Sequence, residues 1–144
     1  MISVELILET FERQKNEIEN ISKTSISRSS LQVEPALPNF ARIITGIRRS
    51  GKSTLISKDL FSADKAAFYL NFDEPVLYNF SATDFVILEN AIDKFQKEQN
   101  GSKNLYFDEI QNVDGWEVFV NAQLKKGNLV TVTGSNASLL SSEL

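Results

Sequence analysis

The sequence contains no histidine and no cysteine. This absence excludes Ser/His and Cys/His nucleophile systems, zinc sites built on Cys or His, haem ligation by these residues, and disulfide bonds. Any catalysis by this chain must therefore use carboxylates, lysine, hydroxyl groups, backbone amides or a hard metal ion.

The chain also lacks an excess of positive charge and any long apolar run. It has 15 basic and 19 acidic residues, and its net charge of −4 argues against the broad positive field of a non-specific nucleic-acid binder. The start, MISVELILETFE, has acidic residues where a secretory signal has basic ones, and no run approaches the roughly 20 apolar residues that span a bilayer. We therefore expect a cytoplasmic protein with one compact core and no membrane partner.

Residues 1–40 are predicted to form an N-terminal helix and a linker. Apolar residues recur at three- and four-residue steps between Val4 and Ile21, interrupted by a polar stretch at 13–16, which predicts an amphipathic helix. Residues 22–40 collect Ser, Thr, Asn and two prolines, a composition typical of a loop.

Residues 41–144 alternate short apolar runs with helical patterns and form the second predicted unit. The apolar runs predict strands at 41–46, 66–72, 104–110 and 129–135. The helical patterns lie at about 52–60, 82–99 and 116–126. Strict alternation of strand and helix predicts an α/β fold of three layers, a parallel sheet with helices on both faces. The chain ends about two turns into a further helical pattern, so we expect a truncated core.

A phosphate-binding pattern follows the first predicted strand directly. The sequence GIRRSGKST matches GxxxxGK[ST] in the required position between a strand and a helix. Its glycines let the backbone wrap a phosphate, and the loop amides and helix N-terminus supply partial positive charge. Lys52 would reach the β- and γ-phosphates, and Ser53 would place its hydroxyl on Mg²⁺. The predicted nucleotide-binding residues of this loop are Gly46, Ile47, Arg48, Arg49, Ser50, Gly51, Lys52, Ser53 and Thr54.

The two arginines of this loop have three interpretations. Arg48 and Arg49 either add to phosphate attraction, contact a partner or nucleic acid, or are solvated loop charges.

Two predicted strands end in an Asp-Glu pair, Asp73-Glu74 and Asp108-Glu109. A P-loop site needs an acidic residue at the end of a neighbouring strand to hold Mg²⁺ through water, and a group that positions or deprotonates the attacking water. In similar folds the strand directly after the first helix usually lies far from the loop, and the next strand returns toward it. We therefore predict Asp108 as the magnesium-side carboxylate and Glu109 as the catalytic group. Asp73-Glu74 is the alternative, and its other interpretation is a polar strand exit before a turn at Pro75.

The end of the last predicted strand, VTVTGSN, offers a further polar group. Ser135 or Asn136 either senses the γ-phosphate from between the loop and the metal-side strand, or only caps the following helix. The glutamate beside Asp108 favours hydrolysis of ATP over binding alone, because binding-only P-loop proteins need no such group.

Taken together, these stretches resemble a family of prokaryotic AAA-like P-loop ATPases in which an N-terminal ATPase domain precedes a C-terminal domain of unknown function. The phrases that carry the resemblance are GIRRSGKSTLI, FYLNFDEP, LYFDEIQNVDGWE and VTVTGSNASLLSSEL, which cover most of residues 41–144. The first 40 residues match only loosely.

The resemblance implies an AAA+-like core that binds ATP and Mg²⁺. It places Asp108 on Mg²⁺ and makes Glu109 catalytic, with Ser135 as γ-phosphate sensor. It also implies that a fifth strand beside the loop strand, the distal arginines and the C-terminal domain lie beyond residue 144. The partners to be expected are ATP, ADP and that domain, while a homo-oligomer or a protein partner stays open.

Two functions from different classes remain. The first is a Mg²⁺-dependent ATPase whose hydrolysis drives a conformational change, and the second is a nucleotide-gated interaction switch with negligible turnover. A nucleotide or small-molecule kinase would need an Arg-rich lid that the sequence does not show. A DNA-acting motor has support neither from the net charge nor from a basic stripe.

Overall fold

Four parallel strands form the centre of the molecule in the computed structural model, which describes residues 1–24, 40–45, 67–96 and 103–134. Their order across the sheet is β1-β4-β3-β2, and each neighbouring pair is parallel. The strands are β1 Arg42–Thr45, β2 Phe68–Asn71, β3 Asn104–Asp108 and β4 Leu129–Gly134. The predicted α/β fold is confirmed, and β3 lies nearer to β1 than β2 does, as expected.

The helices follow the predicted pattern with shifted ends. They are α1 Val4–Thr24, α2 Phe85–Phe95 and α3 Trp116–Lys125. The helix predicted from residue 82 begins with a separate 3-10 turn, Ala82–Asp84, because the Asp84 carboxylate accepts a hydrogen bond from the Ser81 N–H and closes a capping box there. The helices predicted at 52–60 and after 135 lie outside the described residues, as does most of the loop predicted at 22–40.

The core lies between one face of the sheet and these three helices. Strand register places Phe68 and Phe107 on the same face, because Phe107 pairs with Leu70, two residues after Phe68. Phe68 stacks on Phe11 of α1 at 4.8 Å between ring centroids, and Phe107 meets Phe119 of α3 at 5.5 Å. Parallel strands buried by aromatic and aliphatic side chains in this way form the main hydrophobic core of the described chain.

Three phenylalanines between residues 80 and 95 and one tryptophan belong to the core. Phe80 and Phe85 are buried, and Phe95 packs against the core at the end of α2. Trp116 is 4% exposed and anchors the start of α3 in the core. Gly115 precedes it with φ of 82°, a left-handed conformation that lets the chain turn into the helix.

The opposite face of the sheet is polar near its centre. The residues there are Tyr69, Tyr106, Asp108, Thr131 and Thr133, all buried. This face therefore carries hydroxyl and carboxyl groups away from the helices that form the main core.

Helix α1 is continuous through residues 13–16, where the polar sequence predicted an interruption. Ser3 accepts a hydrogen bond from the N–H of Leu6 and so caps its start. Buried positions then recur at Ile7, Phe11, Gln14 and Ile18, which is one helical face. The polar residue Gln14 occupies a core-facing position because its amide has partners there.

Those partners are on the edge strand β2. The Gln14 amide donates to the carbonyl of Asn71 at 3.0 Å and accepts from the N–H of Asn71 at 2.9 Å. Next to it, Arg13 binds both carboxylate oxygens of Glu74, and this hydrogen-bonded guanidinium lowers the pKa of Glu74 below its usual value. Helix α1 therefore occupies the sheet edge at β2, where backbone groups would otherwise be unpaired.

Helix α1, the longest described helix, is too polar to be a membrane span. Across the described ranges, no helix has the length and apolar character needed to cross a bilayer.

We expect Gln14→Met to lower the free energy of unfolding by about 1–3 kcal/mol, because it keeps the side-chain length but removes both hydrogen bonds to Asn71. Urea denaturation of the full-length protein measures the change, with Glu12→Met, an exposed position on the same helix, as the matched control. Equal effects of the two substitutions would contradict the edge-pairing role of Gln14.

Candidate functional site

Asp108 is a buried carboxyl group at the carboxyl end of β3, with 3% of its surface exposed. It receives hydrogen bonds from both neighbouring strands: the Tyr69 hydroxyl of β2 donates to Oδ2 at 2.7 Å, and the Thr133 hydroxyl of β4 donates to Oδ1. Buried polar groups are tolerated when they have such partners. The sheet therefore holds this carboxyl group in one orientation from two sides.

The parallel register explains why these three residues meet. Phe107 pairs with Val132, so the next residues, Asp108 and Thr133, lie side by side on the other face. Tyr69 points to that same face and has a side chain long enough to reach diagonally toward the strand end. Three neighbouring parallel strands thus supply one hydrogen-bonded cluster at the carboxyl end of β3.

The contact also changes the ionisation of Tyr69. Burial, followed by the charge and the hydrogen bond of Asp108, raises the pKa of Tyr69 well above its ordinary value. The phenol is thus a permanent hydrogen-bond donor toward Asp108 at physiological pH.

Glu109 has a strained backbone immediately after Asp108. Its φ of 57° and ψ of 40° lie in the left-handed region, and within the described ranges it is the one residue other than glycine with positive φ. Such a conformation costs about 1–2 kcal/mol for an ordinary residue and recurs at functional sites. The hydroxyl of Thr133 accepts a hydrogen bond from the Glu109 N–H at 3.2 Å, which helps to fix the bend.

The Glu109 side chain is buried and has an amide neighbour. Glu109 is 3% exposed, and Gln111 Nε2 donates to its Oε2 at 2.7 Å. Gln111 belongs to the 3-10 turn Ile110–Asn112, which packs against β4. The left-handed backbone at Glu109 and this turn together bring the side chains of Glu109 and Gln111 into contact.

Sheet order decides how far each Asp-Glu pair lies from the predicted phosphate loop, which starts right after β1. Strands lie about 4.8 Å apart, so β3 is about 10 Å from β1 and β2 is about 14 Å away. Glu74, after β2, is moreover bound by Arg13 and Gln14 of α1. Pro75 begins a 3-10 turn there, as expected of a strand exit. The geometry therefore favours Asp108-Glu109 over Asp73-Glu74 as the pair near the loop.

The other predicted site residues lie outside the described part of the chain. These are Gly46, Ile47, Arg48, Arg49, Ser50, Gly51, Lys52, Ser53, Thr54, Ser135 and Asn136. Their roles stay predictions.

Sequence reasoning missed three residues of this cluster: Tyr69, Thr133 and Gln111. The signal for Thr133 was present, because period-two alternation in VTVTG puts it on the face opposite the valines, beside the strand that ends in Asp108. Tyr69 and Gln111 could be placed only once the strand order and the turn after Glu109 were known.

We expect Tyr69→Phe to lower the free energy of unfolding by about 1–3 kcal/mol, because it removes one hydrogen bond from a buried carboxyl group and leaves the ring in place. The exposed Tyr78 offers a matched control, and Tyr78→Phe should change stability by no more than about 0.5 kcal/mol. Chemical denaturation of both variants measures this difference. A Tyr69→Phe protein as stable as the control would show that the bond to Asp108 contributes nothing.

The sequence is similar to a known protein family and to proteins of other organisms. The sequence model of the AAA domain family matches residues 39–144. An uncharacterised protein of Methanocaldococcus jannaschii is 31% identical over 128 residues, covering 88% of this chain and 28% of that protein. An uncharacterised protein of Haemophilus influenzae is 37% identical over 137 residues, covering 86% of this chain and 33% of that protein. The chain thus spans about a third of the length of these relatives.

Among solved structures, that of C. elegans PCH-2 aligns over 92% of this chain and 38% of that chain, with 15% identity and a TM-score of 0.46. The family match covers well over half of the chain and includes both the loop sequence and Asp108-Glu109. The chain therefore belongs to the AAA domain family and is a P-loop nucleotide-binding module.

Proposed function

We propose that this module binds ATP with Mg²⁺ and hydrolyses it, and that the change of nucleotide state alters its conformation. The observation that carries the proposal is the buried pair at the end of β3, in which Asp108 is held from both sides and Glu109 has a strained backbone.

The arrangement of strand ends supports a nucleotide lying across the sheet edge. The predicted loop begins at Gly46, directly after the last residue of β1. In open parallel sheets, ligands bind at the carboxyl ends of the strands. A separation of about 10 Å between the ends of β1 and β3 leaves room for a phosphate chain.

The residues present fit a magnesium ion. Mg²⁺ prefers oxygen ligands and is usually held in such sites by one or two protein groups, several waters and the substrate phosphates. Within the described ranges no group of three or more candidate metal-binding carboxylates occurs, and a site of this kind needs none. Asp108 would hold the ion through water and Ser53 through its hydroxyl. When bound, the ion would neutralise charge on the β- and γ-phosphates.

Protein groups would supply the remaining chemistry. Lys52 would contact the β- and γ-phosphate oxygens, and the Glu109 carboxylate would take a proton from the attacking water. Because the Thr133 hydroxyl already donates to Asp108, Ser135, which follows β4 directly in sequence, would contact the γ-phosphate.

Strain at Glu109 favours hydrolysis over a switch with negligible turnover. Holding an acidic residue buried in the left-handed region has a conformational cost that binding alone does not require. In a protein as long as the relatives of this chain, a further domain would respond to this conformational change.

We expect Lys52→Ala to weaken ATP binding by at least about 100-fold, because it removes the charged contact to the β- and γ-phosphates. Calorimetric titration of ATP, ADP and GTP with Mg²⁺ into the full-length protein measures affinity and base preference together. Lys125→Ala, at an exposed lysine of α3, is the charge-matched control and should bind normally. Unchanged ATP affinity in Lys52→Ala would overturn the loop assignment.

We expect Glu109→Gln to lower kcat for ATP hydrolysis by about 10²- to 10⁴-fold while ATP affinity stays near that of the wild type, since the amide cannot accept the proton. The same substitution in the other pair, Glu74→Gln, should lower stability through the lost contact to Arg13 but leave kcat unchanged. Steady-state phosphate release measures both variants. Tight ATP binding without turnover in the wild-type protein would instead establish the nucleotide-gated switch.

A further inference from the structure

The amide of Gln111, in the 3-10 turn Ile110–Asn112, contacts the proposed catalytic residue but has no role in the proposed function. Its nitrogen donates to the Glu109 carboxylate at 2.7 Å. Its oxygen, Oε1, is buried and accepts no hydrogen bond from the described part of the chain. A buried acceptor without a partner costs about 1–3 kcal/mol, so its position beside Glu109 calls for an explanation.

Chemistry fixes which way this amide points. An ionised carboxylate only accepts hydrogen bonds, so the Gln111 nitrogen must face Glu109 and the oxygen must point elsewhere. The turn that carries Gln111 packs against β4, the strand between β3 and β1. Oε1 of Gln111 therefore lies close to Glu109, the proposed proton acceptor. The turn that carries it packs on the β1 side of β3, and the predicted phosphate loop begins directly after β1.

We infer that Gln111 positions the water that attacks the γ-phosphate, an inference that rests on the proposed ATP hydrolysis. A water molecule has two O–H groups, and two acceptors fix both of them. Glu109 accepts one and Gln111 Oε1 accepts the other, which leaves a lone pair of the water oxygen aimed at the phosphorus.

The step balances with these groups alone. A bond forms from the water oxygen to the γ-phosphorus, and the bond from that phosphorus to the bridging oxygen breaks, its electron pair staying on ADP. The water proton passes to the Glu109 carboxylate. Gln111 is not changed, and its hydrogen bond from Nε2 keeps the Glu109 carboxylate turned toward the water.

The test is Gln111→Met in the full-length protein, which keeps the side-chain length and removes both the donor and the acceptor. We expect kcat to fall by about 10- to 100-fold with ATP affinity within about 2-fold of the wild type, because the loss falls on the transition state. Affinity for ADP with aluminium fluoride, which mimics the transition state with its attacking water, should fall by a similar factor. Affinity for ADP with beryllium fluoride, a ground-state mimic, should not change.

The difference between the two fluoride complexes separates this role from a structural one. Gln111→Met also removes the Nε2 hydrogen bond to the buried Glu109 carboxylate, so a lower melting temperature is expected with either role. Asn112→Leu, at the exposed next residue of the same turn, is the matched control and should alter none of these quantities.

The outcomes distinguish the two proposals. Turnover that depends on Glu109 but stays within about 2-fold of wild type in Gln111→Met would overturn the inference about Gln111 alone. A parallel loss of affinity for both fluoride complexes would overturn it as well, because the defect would then be in nucleotide binding. Absence of turnover in the wild-type protein would overturn both proposals.

Discussion

A buried carboxyl group at the end of a central strand is the constraint on which the rest of this structure depends. Asp108 is buried where Tyr69 and Thr133 donate hydrogen bonds to it from the two neighbouring strands, which offsets the cost of burying a carboxyl group. Those donors are available only when β2, β3 and β4 are parallel and in the observed register. Fold and site therefore depend on each other, since a shift of one residue would turn these side chains to the opposite face.

The same cluster supports the strained residue that follows it. The Thr133 hydroxyl accepts from the Glu109 N–H as well as donating to Asp108, so one side chain fixes both the carboxyl group and the bend. A left-handed glutamate persists only where the surrounding structure determines it in this way. The bend directs the chain into the turn that returns Gln111 to Glu109.

At the β2 edge of the sheet, α1 covers and pairs with the edge strand. Its Gln14 pairs with the backbone of β2 as another strand would, and its Arg13 binds Glu74 just after that strand. The second Asp-Glu pair is thereby part of the contact between helix and sheet. The two Asp-Glu pairs thus have different surroundings: Asp108-Glu109 lies beside β4, and Asp73-Glu74 lies beside α1.

The spacing of apolar residues was enough to predict the elements of the fold. Alternating apolar runs and helical patterns predicted the four strands and all three described helices, because burial of one face dictates the spacing of apolar residues. The loop sequence and the two Asp-Glu pairs were also readable, since a phosphate site requires those residue types at the ends of strands. Helix α1 was predicted with an interruption at 13–16, because local polarity does not reveal a partner distant in sequence.

Which side chains meet depends on the order and register of the assembled strands. The order β1-β4-β3-β2 places Asp108 between its two hydroxyl donors, and no local pattern specifies that Tyr69 reaches it across 39 positions of sequence. The conformation of Glu109 and the return of Gln111 likewise depend on packing of the turn against β4. Hydrophobic spacing is a local property that sequence records directly, whereas hydrogen bonds between strand ends exist only once the sheet has assembled.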